Sequence, residues 1–209
     1  MLKQNYNLLQ ALDPKIIFEF GAFDGEDTFS YRESFPKAEI YSFEPDPLLY
    51  RLLEPQMEEK NIHFYNYAIS DITEEADFHF ARPKEGNKGL FPAGSLYPYT
   101  QNMKSSQREW WSFSDEVVKV NCISLQEFCA KEGIPNIDFI HMDVEGAVGR
   151  VLKGMGELRP PIILAEVRGR EALFQGAPSL RENNTLFAQM GYIPVGSEGA
   201  DTLYKLIKQ

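Results

Sequence analysis

With 209 residues, 43% of them hydrophobic, the chain has material for one substantial core and too little for two ordinary domains. Its formal net charge of −10 gives a surface that repels a polyphosphate backbone, so no nucleic-acid partner is expected. No apolar run is long enough to span a bilayer, the N-terminus lacks a signal-peptide pattern, and two cysteines, Cys122 and Cys129, are too few for a disulfide framework. A cytoplasmic protein without a membrane span is the expectation.

Strands and helices alternate along the chain. Lys15 to Phe20 is an apolar run bounded by Pro14 and Gly21 and reads as a buried strand. Asp24 is placed to cap a helix that begins near Gly25 and stops before Pro36. Ala38 to Phe43 is a second strand, followed by a helix over Asp46 to Glu59 that Pro55 kinks or ends early. Ile62 to Ile69 reads as a third strand, and Ala76 to Ala81 as a partly exposed one.

The stretch from Arg82 to Asp115 is rich in Gly, Pro, Ser and aromatics, and is expected to be an insertion or lid. Val117 to Cys122 returns as a strand, and Ser124-Leu125-Gln126-Glu127 has the form of a capping box opening a short helix. Ile137 to Val144 is the fourth core strand, with a helix over Ala147 to Lys153. Pro161 to Val167 is the fifth, Leu180 to Met190 a helix, and Tyr192 to Val195 with Leu203 to Ile207 a closing hairpin. The pattern predicts a single α/β domain with a Rossmann-like fold, a mostly parallel seven-stranded sheet with an antiparallel C-terminal hairpin, and helices on both faces.

In such a sheet, ligands sit beyond the carboxyl ends of the strands, so the strand exits come first. The first exit reads Glu19-Phe20-Gly21-Ala22-Phe23-Asp24-Gly25, followed by Thr28. Its glycines are four apart, unlike the G-x-G-x-x-G that seats a pyrophosphate, and it carries acids instead. Acids suit a ligand bearing an ammonium and a sulfonium, as S-adenosylmethionine does. Glu44, at the second exit, is placed to accept from two ribose hydroxyls, and Ala68 with Asp71, at the third, to meet an adenine. Asp143 stands at the fourth exit and Glu166 near the fifth.

These pieces resemble the FkbM family of S-adenosylmethionine-dependent methyltransferases. Phe20 to Gly25, Phe43-Glu44-Pro45, Ala68-Ile69-Ser70-Asp71, Gly94-Ser95-Leu96, Asp143-Val144-Glu145-Gly146 and Val151 to Gly154 carry the likeness, in family order. The resemblance implies a class I methyltransferase fold, S-adenosylmethionine as cofactor, and transfer of a methyl group to a hydroxyl of a sugar, glycan or secondary metabolite. The chain departs from the family at His141, where a lysine is frequent, and at Val148, where a second acid is.

Methyl transfer to a hydroxyl needs alignment, exclusion of water and a base. Asp143, Glu166 and His141 are the candidates for the chemistry, with Asp143 also facing the cofactor. Ser95, Trp110 and Trp111 are candidates for the acceptor, because aromatic side chains on a loop can stack on a sugar face. The carboxylates form no defined ligand set, so no metal is expected. Two alternatives stay open: a nicotinamide-dependent oxidoreductase, and a non-catalytic module that binds the same cofactor.

Overall fold

A computed structural model describes residues 3–83, 94–105, 111–167 and 169–207. The main sheet is built from β1 (Ile16–Phe20), β2 (Glu39–Phe43), β3 (His63–Tyr65), β7 (Phe139–Met142), β8 (Ile162–Glu166), β9 (Tyr192–Glu198) and β10 (Asp201–Leu206). Its order is β3-β2-β1-β7-β8-β10-β9; all neighbours run parallel except β10, which is antiparallel to both β8 and β9. The chain winds outward from β1 in both directions, so the switch in strand order lies between β1 and β7, where a ligand crevice opens in such sheets.

Alternation along β1 decides what each face buries. Phe18 and Phe20 point to one side, where Phe18 stacks on Tyr41 at 4.8 Å and Phe43 stacks on Tyr65 at 5.4 Å. Phe128, from α5 (Leu125–Glu132), meets this aromatic row edge-on, 4.8 Å from Phe43 and 4.9 Å from Tyr65. α6 (Val148–Gly154) and α8 (Leu180–Gln189) cover the same face. Ile17 and Glu19 point to the other side, covered by α1 (Lys3–Leu12), α2 (Glu26–Ser34) and α3 (Pro47–Glu59).

Several elements differ from the sequence expectation. The run from Ile62 to Ile69 is two strands, because Asn66 turns the chain and donates to the carbonyls of Glu44 and Pro45 at 2.7 and 3.0 Å. β4 (Ala68–Ser70) then joins a second sheet, β4-β6-β5, with β5 (Glu75–Pro83) and β6 (Trp111–Ser124). β5 and β6 pair antiparallel, so both ends of the Arg82–Asp115 stretch belong to this ribbon. α1, α4 (Gln101–Ser105) and α7 (Arg170–Leu173) have no counterpart in the expectation.

Pro55 does not end α3, which runs to Glu59. Ser124 caps α5 through the Glu127 N–H, while both halves of a capping box form at Ser179 and Glu182. No helix among the described residues is long and apolar enough to cross a membrane.

α6 lies hard against β4. A Cβ on Gly154 would stand 1.9 Å from the Ser70 carbonyl oxygen, a backbone atom that cannot swing away. Gly154→Ala is therefore expected to lower stability by about 2–4 kcal/mol through overpacking, despite the better helix propensity of alanine. Urea unfolding checks this: a lower midpoint at unchanged slope is the predicted result.

Candidate active site

A cleft opens at the carboxyl ends of β1, β2 and β7. Its floor is the turn after β1. The Gly21 and Ala22 N–H groups both donate to the Phe43 carbonyl, at 2.9 and 3.1 Å, tying the turn to the end of β2. Gly21 has φ +92°, and a Cβ there would stand 2.0 Å from the Asp143 carbonyl oxygen. Only glycine lets the β1 and β7 exits approach this closely.

Phe23, two residues on, holds φ +48°, which is rare for a bulky residue. Its N–H donates to Glu44 Oε2 at 2.9 Å, and this bond secures the turn. Helix α2 then starts from Gly25 at φ +82°; Asp24 does not cap it but accepts from the Glu26 N–H at 3.1 Å.

Glu44 is 4% exposed, and its other oxygen accepts from the Asp46 N–H at 2.8 Å. Glu44 lines the cleft, and each of its oxygens can accept a further hydrogen bond. Burial pushes its carboxyl up to about 8, against the opposing pull of the two N–H donors. Between pH 4.5 and 8 the folded protein thus holds a proton that the unfolded chain has lost, and the Glu44 contribution to stability declines as pH rises.

A ligand that donates hydroxyls to Glu44 favours the ionised form. S-adenosylhomocysteine is therefore expected to bind more tightly as pH rises toward about 8, with proton release below it. Calorimetry in buffers of different ionisation enthalpy reads that release, and Glu44→Gln should remove it.

The remaining walls are apolar. Phe43, Leu49, Tyr67, Ala68, Ile69, Phe78, Phe80, Gly94 and Leu96 supply them. Phe78 and Phe80 project from β5 at period two, and Phe78 packs in one cluster with Ala68. Sequence patterning reads this strand as partly exposed, and only the second sheet turns these rings to the cleft.

Asp143 leaves β7 at the cleft, its N–H donating to the Phe20 carbonyl at 2.9 Å. Asp143 is exposed at the cleft, and the crowding of protein atoms around it, then the charges of Glu166 and Glu145, raise its carboxyl above the usual carboxylate range. Asp143, Glu145 and Glu166 bring carboxylate oxygens within 4.8 Å of one another.

Arg170 enters this cluster, donating to Glu145 at 2.6 Å and to Glu166 at 3.1 Å. Glu145 is raised to about 7 by burial and by Glu166, with Arg170 pulling the other way. The guanidinium itself stays charged, because the adjacent carboxylates outweigh its own desolvation. In the sequence Arg168 and Arg170 are the one basic concentration and read as a solvated loop; the local signal for the role of Arg170 is its position four residues after Glu166.

Of the residues expected at the cofactor, Gly21, Glu44, Ala68 and Asp143 line the cleft. Glu19, Ala22, Asp24, Gly25, Thr28 and Asp71 do not. Glu19 is 1% exposed on the α2 side of the sheet, accepting from Thr28 Oγ1 and, at 2.9 Å, from Ser42 Oγ. Ala22 is buried beneath the turn, while Asp24 is exposed. Asp71 pairs with Arg150 at 2.7 Å, which holds its carboxyl below the ordinary range despite the opposing effect of burial.

His141, expected at the chemistry, is buried beside Glu19 rather than in the cleft; Glu166 sits in the carboxylate cluster behind Asp143. Ser95, expected at the acceptor, is fully buried and donates to the Glu145 carbonyl at 2.7 Å, so it anchors the Asp143–Gly146 turn. Trp110 lies outside the described residues, as does the side chain of Trp111.

Glu44, Asp46 and Asp143 are the acids among the residues that line the cleft, beside the close approach of the Gly21 turn to the β7 exit. The family model described as methyltransferase FkbM domain matches residues 3–194. The chain is 30% identical over 203 residues to the 2-O-methyltransferase NoeI of Sinorhizobium fredii, covering 94% of this chain and 82% of that protein.

Among solved structures, the S-adenosylhomocysteine-bound Podospora anserina methyltransferase PaMTH1 superposes with a TM-score of 0.51 at 12% identity, over 97% of this chain and 76% of that one. The StiE O-MT structure, at a TM-score of 0.49 and 11% identity, covers 91% of this chain, which spans 51% of its length.

Proposed function

Because the chain belongs to the FkbM methyltransferase family and is an S-adenosylmethionine-dependent methyltransferase, we propose that it methylates a hydroxyl group of a sugar, glycan or related small metabolite. The observation that carries this reading is Asp143, a carboxylate that lines the cleft with carboxylate oxygens of Glu145 and Glu166 within 4.8 Å of its own. A hydroxyl is a weak nucleophile at neutral pH, and a carboxylate of raised proton affinity beside it can take its proton. The 2-O-methyltransferase relative points to the same acceptor class.

Gly21, Phe23, Glu44 and Ala68 would hold the cofactor, with Glu44 orienting the ribose and the Phe78–Phe80 wall excluding water from the base. S-adenosylmethionine supplies the methyl group on a sulfonium and leaves as S-adenosylhomocysteine. Asp143, with Glu166 hydrogen-bonded beside it, takes up the proton released by the acceptor hydroxyl. Arg170 holds Glu145 and Glu166 in place, so that Asp143 is the member turned to the acceptor.

Residues 3–207 work as one methyltransferase unit in this reading, with the 82–115 insertion supplying Gly94 and Leu96 to the wall. The net charge of −10 disfavours a nucleic-acid acceptor, and two free buried cysteines suit a reducing cytoplasm.

Incubation with methyl-labelled S-adenosylmethionine and a panel of sugars and oligosaccharides tests the acceptor class. NMR of the product should place the label on an ether oxygen. A label on nitrogen or on a carboxylate would refute hydroxyl transfer.

A further inference from the structure

We propose that Glu19, Asp27 and His141 form a binding site for one divalent transition-metal ion, beneath the Gly21 turn on the α2 side of the sheet. Glu19 and His141 are cross-strand neighbours on β1 and β7, and Asp27 reaches them from the first turn of α2. One ligand atom from each lies within 4.8 Å of the other two. His141 is 5% exposed, and its Nδ1 has no hydrogen-bond partner among the described residues. That nitrogen stands 3.7 Å from Glu19 Oε1, too far for a hydrogen bond. Two donors on one ion, with bonds of about 2.0–2.2 Å, stand about 3.0–3.6 Å apart, so Glu19 and His141 already have nearly that spacing, and a shift of Asp27 of at most about 1–2 Å closes the site.

The surroundings are built to hold these groups. Thr28 and Ser42 donate to Glu19 Oε2, fixing the carboxylate and leaving Oε1 turned to His141. The Tyr31 hydroxyl, also buried and without a partner among the described residues, lies on a ring 5.8 Å from His141 and is placed to bond a metal-held water. The donor set of one imidazole and two carboxylates suits Zn²⁺, Mn²⁺ or Fe²⁺ better than Mg²⁺, which prefers oxygen alone. The Asp143–Glu145–Glu166 cluster differs, because the Arg170 guanidinium already supplies its positive charge.

The test uses Zn²⁺ alone, without cofactor or acceptor, so its outcome is independent of methyl transfer. After dialysis against a chelator, calorimetric titration should show one equivalent bound, with a raised melting temperature. Asp27→Asn, at an exposed position that leaves the core intact, should weaken binding at least tenfold. His141→Lys, which gives Glu19 a counter-charge but no suitable ligand, should abolish it. Absence of stoichiometric Zn²⁺ binding would overturn the proposal, with water satisfying His141 and Tyr31. So would binding that survives Asp27→Asn and His141→Lys, or binding lost in Glu166→Gln instead.

Discussion

Asp143→Asn is expected to slow methyl transfer by about 10²–10⁴-fold, the range that a positioned general base contributes, while S-adenosylhomocysteine affinity changes far less. The amide keeps the size of the side chain and removes its proton affinity. Glu166 cannot substitute, because Arg170 donates to its Oε2 and Asp143 is the member of the pair that lines the cleft. The backbone contact that matters for the floor, the Asp143 N–H to the Phe20 carbonyl, survives the change. Single-turnover rates with saturating cofactor isolate the chemical step. Equal losses in cofactor affinity and rate would reassign Asp143 from base to cofactor ligand.

Glu44→Ala should weaken S-adenosylhomocysteine binding by about 10²–10³-fold, since two charge-assisted hydrogen bonds to the ribose are removed together. The same change strips the Phe23 and Asp46 N–H groups of their acceptor, so the Phe23 turn at φ +48° loses its tether. A lower melting temperature should therefore accompany the affinity loss, at about 1–3 kcal/mol for each orphaned donor. Glu44→Gln separates the two effects, because its amide oxygen still accepts one bond. It should recover part of the stability and little of the affinity. Unchanged affinity in both variants would mean that the ribose lies elsewhere.

The strand exits were legible because their signals are local. Gly21, Glu44 and Asp143 each follow an apolar run, and the parallel main sheet brings such ends to one edge, while Ala68 opens β4 of the second sheet. What was hidden depends on which face a side chain takes. Glu19 and His141 are one residue out of phase with Phe20 and Met142, so the pleat carries them away from the cleft. Asp71 reads as an exit acid, yet Arg150, seventy-nine residues later in the chain, claims it. Phe78 and Phe80 became cleft walls only through the second sheet, a pairing of β4 with β6 that no local pattern announces.

Hydrogen exchange of the protein with and without S-adenosylhomocysteine tests the site most directly. Protection is predicted over the backbone of Phe20 to Gly25, Phe43 to Asp46, Tyr67 to Ser70 and Asp143 to Ala147, the segments that converge on the cleft. Binding that protects other segments and leaves these four unchanged would contradict it.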